Sequence, residues 1–89
     1  MKLNQCPCCD YFTLPDGQDY EICPVCFWED DSFGIEELDA ESGANKGLTI
    51  RQARANFAKY GACDPDMVRN VLPTEKRSLY GRELRSIRL

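Results

Sequence analysis

The sequence predicts a small α+β fold, a β-hairpin with two cysteine turns packed on one or two C-terminal α-helices. Three observations predict it. Cys6-Pro7-Cys8-Cys9 and Cys23-Pro24-Val25-Cys26 are paired CxxC turns with thirteen residues between Cys9 and Cys23. Tyr11-Phe12-Thr13-Leu14 and Asp19-Tyr20-Glu21-Ile22 read as strands on either side of a turn at Pro15-Asp16-Gly17-Gln18. Residues 49–60 read as a capped amphipathic helix.

The cysteine unit spans residues 5–28. Each CxxC turn brings two sulfurs to one point, and the intervening hairpin carries the second pair back to the first. This is a zinc-ribbon-like layout, and a closed tetrathiolate site is its usual content. The symmetric ligand set is Cys6, Cys9, Cys23 and Cys26, with Cys8 as the surplus. Proline follows the first cysteine of each pair, where it presets φ and removes a donor. Gly17 supplies the positive φ of the intervening turn. The position after each second cysteine favours left-handed backbone. Asp10 tolerates it and Phe27 does so poorly, so the second turn is expected to be less regular or to run directly into a helix or strand.

Residues 29–47 form an acidic loop, with a short helical turn near Ile35. Nineteen residues is long for a structureless connection, so the loop should be functional, locally packed or mobile. Helices then occupy residues 49–72. Thr49 with Gln52 makes a capping box, Leu48 is placed as a hydrophobic staple, and Gly61 ends the first helix. Ile50, Ala53, Phe57 and Tyr60 share one face. Asp64 caps a second short helix with Pro65 at its first position, and Pro73 stops it. Residues 1–73 thus read as one domain and 74–89 as a basic tail. Thr74 is a candidate cap there, and Leu79, Leu84 and Ile87 are its apolar residues.

A chain of 89 residues buries a modest core, and six cysteines supply a reason for its stability. Residues 1–5 lack the apolar stretch of a signal peptide, and no run is long enough to span a membrane. A cytoplasmic location is expected, and it favours metal over disulfides. With no histidine, a transition metal must take thiolates or carboxylates, and the commonest general base is absent. Charge is lopsided. Residues 1–48 hold eleven acids against Lys2 and Lys46, a balance of −9, while residues 69–89 carry +4. A strongly acidic ribbon resists phosphate, so nucleic-acid binding is disfavoured. Only Arg69, Lys76, Arg77, Arg82, Arg85 and Arg88 suit it, and these are expected to fold back on the acidic loop.

Several residues admit more than one reading. Four thiolates bind zinc or, as in rubredoxin, iron; thiolate chemistry alone does not separate them. Cys8 and Cys63 are either buried apolar residues or reactive thiols in a redox or metal-handling protein. Trp28 either covers the cysteine cluster or anchors a binding surface. Glu29, Asp30 and Asp31 are a solvated acidic loop, a hard-cation site or an acid–base cluster, and Asp30 or Asp31 is placed to cap a turn or pair with Arg51 or Arg54.

Together, Cys6-Pro7-Cys8-Cys9, Tyr20-Glu21-Ile22-Cys23-Pro24-Val25-Cys26-Phe27-Trp28-Glu29-Asp30-Asp31, Gly43-Ala44-Asn45 and Ala53-Arg54-Ala55-Asn56-Phe57 with Gly61-Ala62-Cys63-Asp64 resemble the bacterial cysteine-rich CPCC domain family over residues 5–66. The resemblance implies zinc binding and supplies no reaction. Its pattern includes Cys8, Cys63 and residues 29–31. The expectation is a zinc-stabilised, non-catalytic module with a protein partner, its surface formed by Trp28, Glu29, Asp30 and Asp31. The alternatives are thiol chemistry at Cys8 and Cys63 and nucleic-acid binding through the tail.

Overall fold

A CxxC turn reverses the chain without help from a longer loop, and each of the two turns here forms the tip of its own hairpin. The computed structural model describes residues 2–17 and 20–86. Strand β1 (Leu3–Gln5) pairs antiparallel with β2 (Phe12–Pro15), and the first cysteine turn lies between them. Leu3 faces Pro15, Asn4 faces Leu14 and Gln5 faces Phe12, with an irregularity between Asn4 and Gln5. The second hairpin is narrower. Ile22 bridges Glu29, the Tyr20 N–H donates to Asp30 O at 2.9 Å, and the Asp30 N–H donates to Glu21 O at 2.9 Å.

This corrects the expected strand pairing. Among the described residues, β2 pairs with β1 and not with the segment before Cys23. The reason is local closure. The Cys6 N–H reaches Tyr11 O at 2.8 Å, so the turn sets its own flanks in register. Gly17 takes φ +77° as expected, while Gln18 and Asp19 of the predicted turn and strand lie outside the described residues.

Helix α1 (Ile50–Tyr60) forms as its caps dictate. The Gln52 N–H donates to Thr49 Oγ1 at 3.1 Å and the Thr49 N–H to Gln52 Oε1 at 3.0 Å, the reciprocal pair of a capping box. Gly61 ends the helix at φ +81°, its N–H bonded to Phe57 O. Ile50 and Ala53 are buried and Phe57 half-buried, but Tyr60 at the end of the expected apolar face is exposed. Asp64 then caps the 3-10 helix Pro65–Asn70 by accepting the Asp66 N–H. A further 3-10 helix spans Thr74–Leu79; its cap position is Pro73, not Thr74. Leu79 and Leu84 are exposed, and Ile87 lies outside the described residues.

The acidic loop is packed locally. It contains 3-10 turns at Ile35–Glu37 and Gly43–Asn45. The buried Asn45 side chain accepts the Glu29 N–H at 2.8 Å and donates to Glu29 O at 2.9 Å. One amide thereby replaces a missing strand partner on both backbone groups. Asp39 pairs with Arg51, which ties the loop to α1.

Six cysteines, Leu14, Val25, Trp28, Ile50 and Ala53 form the buried core, with Tyr11, Phe27, Leu48, Phe57 and Leu72 against it. More than half of that core is cysteine, so cohesion in this small molecule depends on what the sulfurs do. Among the described residues no helix is long and apolar enough to cross a membrane.

Candidate metal centre

The two cysteine turns repeat one hydrogen-bond pattern. In the first, Cys6 N–H bonds Tyr11 O at 2.8 Å and Asp10 N–H bonds Cys6 O at 3.1 Å. In the second, Cys23 N–H bonds Trp28 O at 2.9 Å and Phe27 N–H bonds Cys23 O at 2.8 Å. The residue after each second cysteine is left-handed, Asp10 at φ +70° and Phe27 at φ +69°. The expectation of a less regular second turn is therefore wrong. A left-handed Phe costs about 1–2 kcal/mol. The two hydrogen bonds that close the turn and the half-burial of the Phe27 ring against the core offset that cost.

This repetition converges four sulfurs. Cys6, Cys9, Cys23 and Cys26 are all buried, and their Sγ atoms lie within 4.8 Å of one another. Cys6–Cys26 is 3.6 Å and Cys9–Cys23 is 3.7 Å. A regular tetrahedron with metal–sulfur bonds of about 2.3 Å has edges of about 3.8 Å. A disulfide needs about 2.05 Å, so these separations are those of ligands around a common centre. Donor type, number and spacing all fit a tetrahedral, thiolate-binding ion.

The family model described as Cysteine-rich CPCC matches residues 4–78. The chain belongs to the cysteine-rich CPCC family. No curated protein and no solved structure matches it. In this CPCC chain the match runs beyond the resemblance visible in the motifs, through the 3-10 helix Pro65–Asn70 and into the segment after Pro73.

Without a cation the CPCC cysteines oppose one another electrostatically. Hydrogen bonds from Cys26, Cys6 and Cys9, with the Thr13 hydroxyl at 3.0 Å, push the Cys23 thiol down. Burial first, then the neighbouring sulfurs, pushes Cys6 and Cys26 up. Cys9 rises chiefly because its thiol hydrogen-bonds to Cys23. Burial opposes charge on these sulfurs, and four thiolates together require a positive centre.

The surroundings of the two turns differ. Behind the first sits Asp10, 1% exposed, held by two guanidiniums. Arg54 donates to both carboxylate oxygens at 2.8 and 2.9 Å and to Pro7 O at 2.8 Å. Arg85 donates through Nε to Asp10 Oδ1 at 2.7 Å and through Nη2 to Cys6 O at 2.7 Å. Arg82 donates to Cys9 O at 3.1 Å and stacks on Tyr11 and Phe57. Burial raises the Asp10 pKa, but the arginine hydrogen bonds outweigh it and bring it to about 2. Neutral groups support the second turn. Cys63 N–H donates to Cys26 O at 2.8 Å and Leu72 N–H to Pro24 O at 3.0 Å.

Other residues singled out by sequence fall as follows. Trp28 is 0% exposed and belongs to the core, which corrects its reading as a surface anchor. Its position directly after the left-handed Phe27 turns it inward across the cluster. Glu29, Asp30 and Asp31 are half-buried. Asp30 and Asp31 cap turns by accepting the N–H of Ser32 and Phe33, while Arg54 pairs with Asp10 and Arg51 with Asp39 instead. Cys8 and Cys63 are buried, and burial pushes the Cys63 thiol up to about 12. Arg82 and Arg85 fold back onto the first cysteine turn rather than the acidic loop; Arg77 reaches Gly61 O and the Phe57 ring, and Arg88 lies outside the described residues. Sequence reasoning missed Asp10 as a buried ion-pair centre, Thr13 as a sulfur donor and Asn45 as a loop clamp. An acid beside a ligand cysteine in a chain with an arginine-rich tail was the available signal for the first.

Proposed function

We propose that this domain is a zinc-stabilised, non-catalytic interaction module in which Cys6, Cys9, Cys23 and Cys26 hold one structural Zn²⁺. The observation that carries this reading is the closed, buried set of four sulfurs. Four protein thiolates complete a tetrahedron and leave no position for water or substrate. Such a site contributes on the order of 10–16 kcal/mol to folding, which suits a core composed largely of cysteine. Elemental analysis of protein purified without added metal tests it. One equivalent of zinc, lost on chelation together with the fold, is expected; iron would redirect the reading to electron transfer, and metal-free protein with oxidised cysteines would overturn it.

The partner in this reading is a protein. With Trp28 buried, the candidate surface moves to the second hairpin, where Tyr20 is 64% and Ile22 43% exposed beside Glu29, Asp30 and Asp31. A groove of about 120 Å³ continues it past Phe27, Leu48 and Met67. An apolar strip flanked by carboxylates suits a partner segment of mixed apolar and basic character. Affinity capture with the native domain, Tyr20→Ser, Ile22→Ser and Asp30→Ala tests that surface. Retention of every specific partner by all three variants would show that the partner binds elsewhere. The burial of Cys8 and Cys63, with the raised Cys63 pKa, favours a packing role for both over thiol chemistry.

A further inference from the structure

The C-terminal segment lies across the first cysteine turn, and polar bonds hold it there. Gly81 O accepts the Phe12 N–H at 2.9 Å, and Tyr11 bridges Arg82, so the segment runs antiparallel beside β2. Gln5 donates to Glu83 O at 2.6 Å. Arg82 donates to Cys9 O, and Arg85 spans Asp10 and Cys6 O. Tyr80 packs against the core, but beyond it apolar anchoring is slight, since Gly81, Arg82 and Glu83 are exposed and Leu84 is 73% exposed. Segments held by polar bonds with little burial open at lower cost than the core beneath them. This one nevertheless supplies two of the three guanidiniums that pin the carbonyls of the first turn. Those cations also lie beside a centre that, with a divalent ion and four thiolates, carries excess negative charge.

We propose that residues 81–86 form a detachable strap that sets how fast the metal centre exchanges its ion, with Arg85 as the positioning residue for the first cysteine turn. The proposal rests on the reading that the four cysteines hold a metal ion. When the strap lifts, the Asp10 carboxylate keeps Arg54 alone, Cys9 O loses Arg82, Cys6 O keeps only the Asp10 N–H, and the Cys6–Cys9 arm is loosened. The Cys23–Cys26 arm keeps the Cys63 and Leu72 amides and the Thr13 hydroxyl. Exchange therefore starts on the first turn.

The test uses full-length zinc-loaded protein with excess pyridylazoresorcinol as acceptor, and peptide mapping of the order in which iodoacetamide labels the cysteines. Arg85→Ala should transfer zinc about 10- to 100-fold faster than the native chain, the range typical for loss of an outer-shell partner. Cys6 and Cys9 should be labelled before Cys23 and Cys26. Arg85→Lys keeps the charge but cannot span Asp10 and Cys6 O together, so an intermediate rate is expected. The exposed Arg69→Ala controls for net charge and should match the native rate. Should Arg85→Ala not fold, a faster rate in Arg85→Lys supports the strap and a native rate overturns it. Arg85→Ala with one zinc and a native rate, or equal labelling of all four cysteines, also overturns it. Native protein without metal overturns the underlying reading instead, and stoichiometry separates the two failures.

Discussion

The first and second cysteine turns share a backbone and differ in how they are held. Both close with the same pair of hydrogen bonds and a left-handed residue at the same position, Asp10 or Phe27. The first is braced by charge, through Asp10, Arg54, Arg82 and Arg85, two of which arrive from the far end of the chain. The second is braced by neutral amides from the segment that follows α1 and by one hydroxyl. The difference teaches that ligand geometry is local while ligand stiffness is borrowed from distant residues, by whichever chemistry those residues offer.

The largest expected effect removes the distinction altogether. On the proposed zinc reading, stripping the metal with a strong chelator, or replacing Cys6 or Cys23 by Ser, should unfold both turns, because structural zinc sites contribute about 10–16 kcal/mol of folding free energy. Trp28 is buried in the cysteine core, so a red shift of its emission should accompany metal loss. Cys8→Ala should keep one metal ion and the native emission. Loss of metal in Cys8→Ala would place Cys8 in the ligand set and break the symmetry of the turns.

Next in size is the charged brace. Asp10→Asn leaves Arg54 and Arg85 facing a neutral group and should cost about 3 kcal/mol, as for one half of a largely buried ion pair. Thr13→Val on the other side removes one hydrogen bond to sulfur and should cost about 1 kcal/mol. Denaturant unfolding of the zinc-loaded proteins measures both, and equal costs would remove the asymmetry.

Acid should separate the sulfurs from the brace. The Asp10 pKa is lowered in the folded protein from 3.8 to about 2. Its stabilising contribution is therefore complete above the ordinary value and is lost only as pH falls from there towards about 2. Protons compete for thiolates independently of it. Metal release followed by absorbance should thus begin above pH 3.8, with Asp10 still ionised. Release confined to lower pH would make the Asp10 brace the acid-sensitive element.

The smallest effect lies outside both turns. Thr49→Ala removes one side of the capping box of α1 and should lower stability by about 1 kcal/mol. It should leave the relative labelling of Cys6 and Cys23 unchanged; a selective change at Cys6 would mean that α1 transmits order to the first turn through Arg54.

Much of the fold was legible because it is local. The capping box at Thr49 and Gln52, the stop at Gly61 and the Asp64–Pro65 start involve residues at most a few positions apart. Strand pairing was not legible, because β1 is three residues long and too short to show a period. Trp28 was ambiguous for a related reason, since an aromatic beside an acidic run can face either way until the turn before it sets its direction. Asn45 resembles any loop amide until Glu29 is brought opposite it.

By itself, then, the sequence determined the four-sulfur cluster. Two CxxC spacings and a hairpin-length gap bring four thiols together through short-range geometry, and that holds whichever strands flank them. Tertiary structure decided everything that depends on which surfaces meet. It turned Trp28 inward, buried Cys8 and Cys63, and joined Asp10 to Arg85 across seventy-five positions of chain. Such pairings follow from the packing of the whole chain and from the high cost of leaving a buried carboxylate without a partner, and neither can be read from spacing along the sequence.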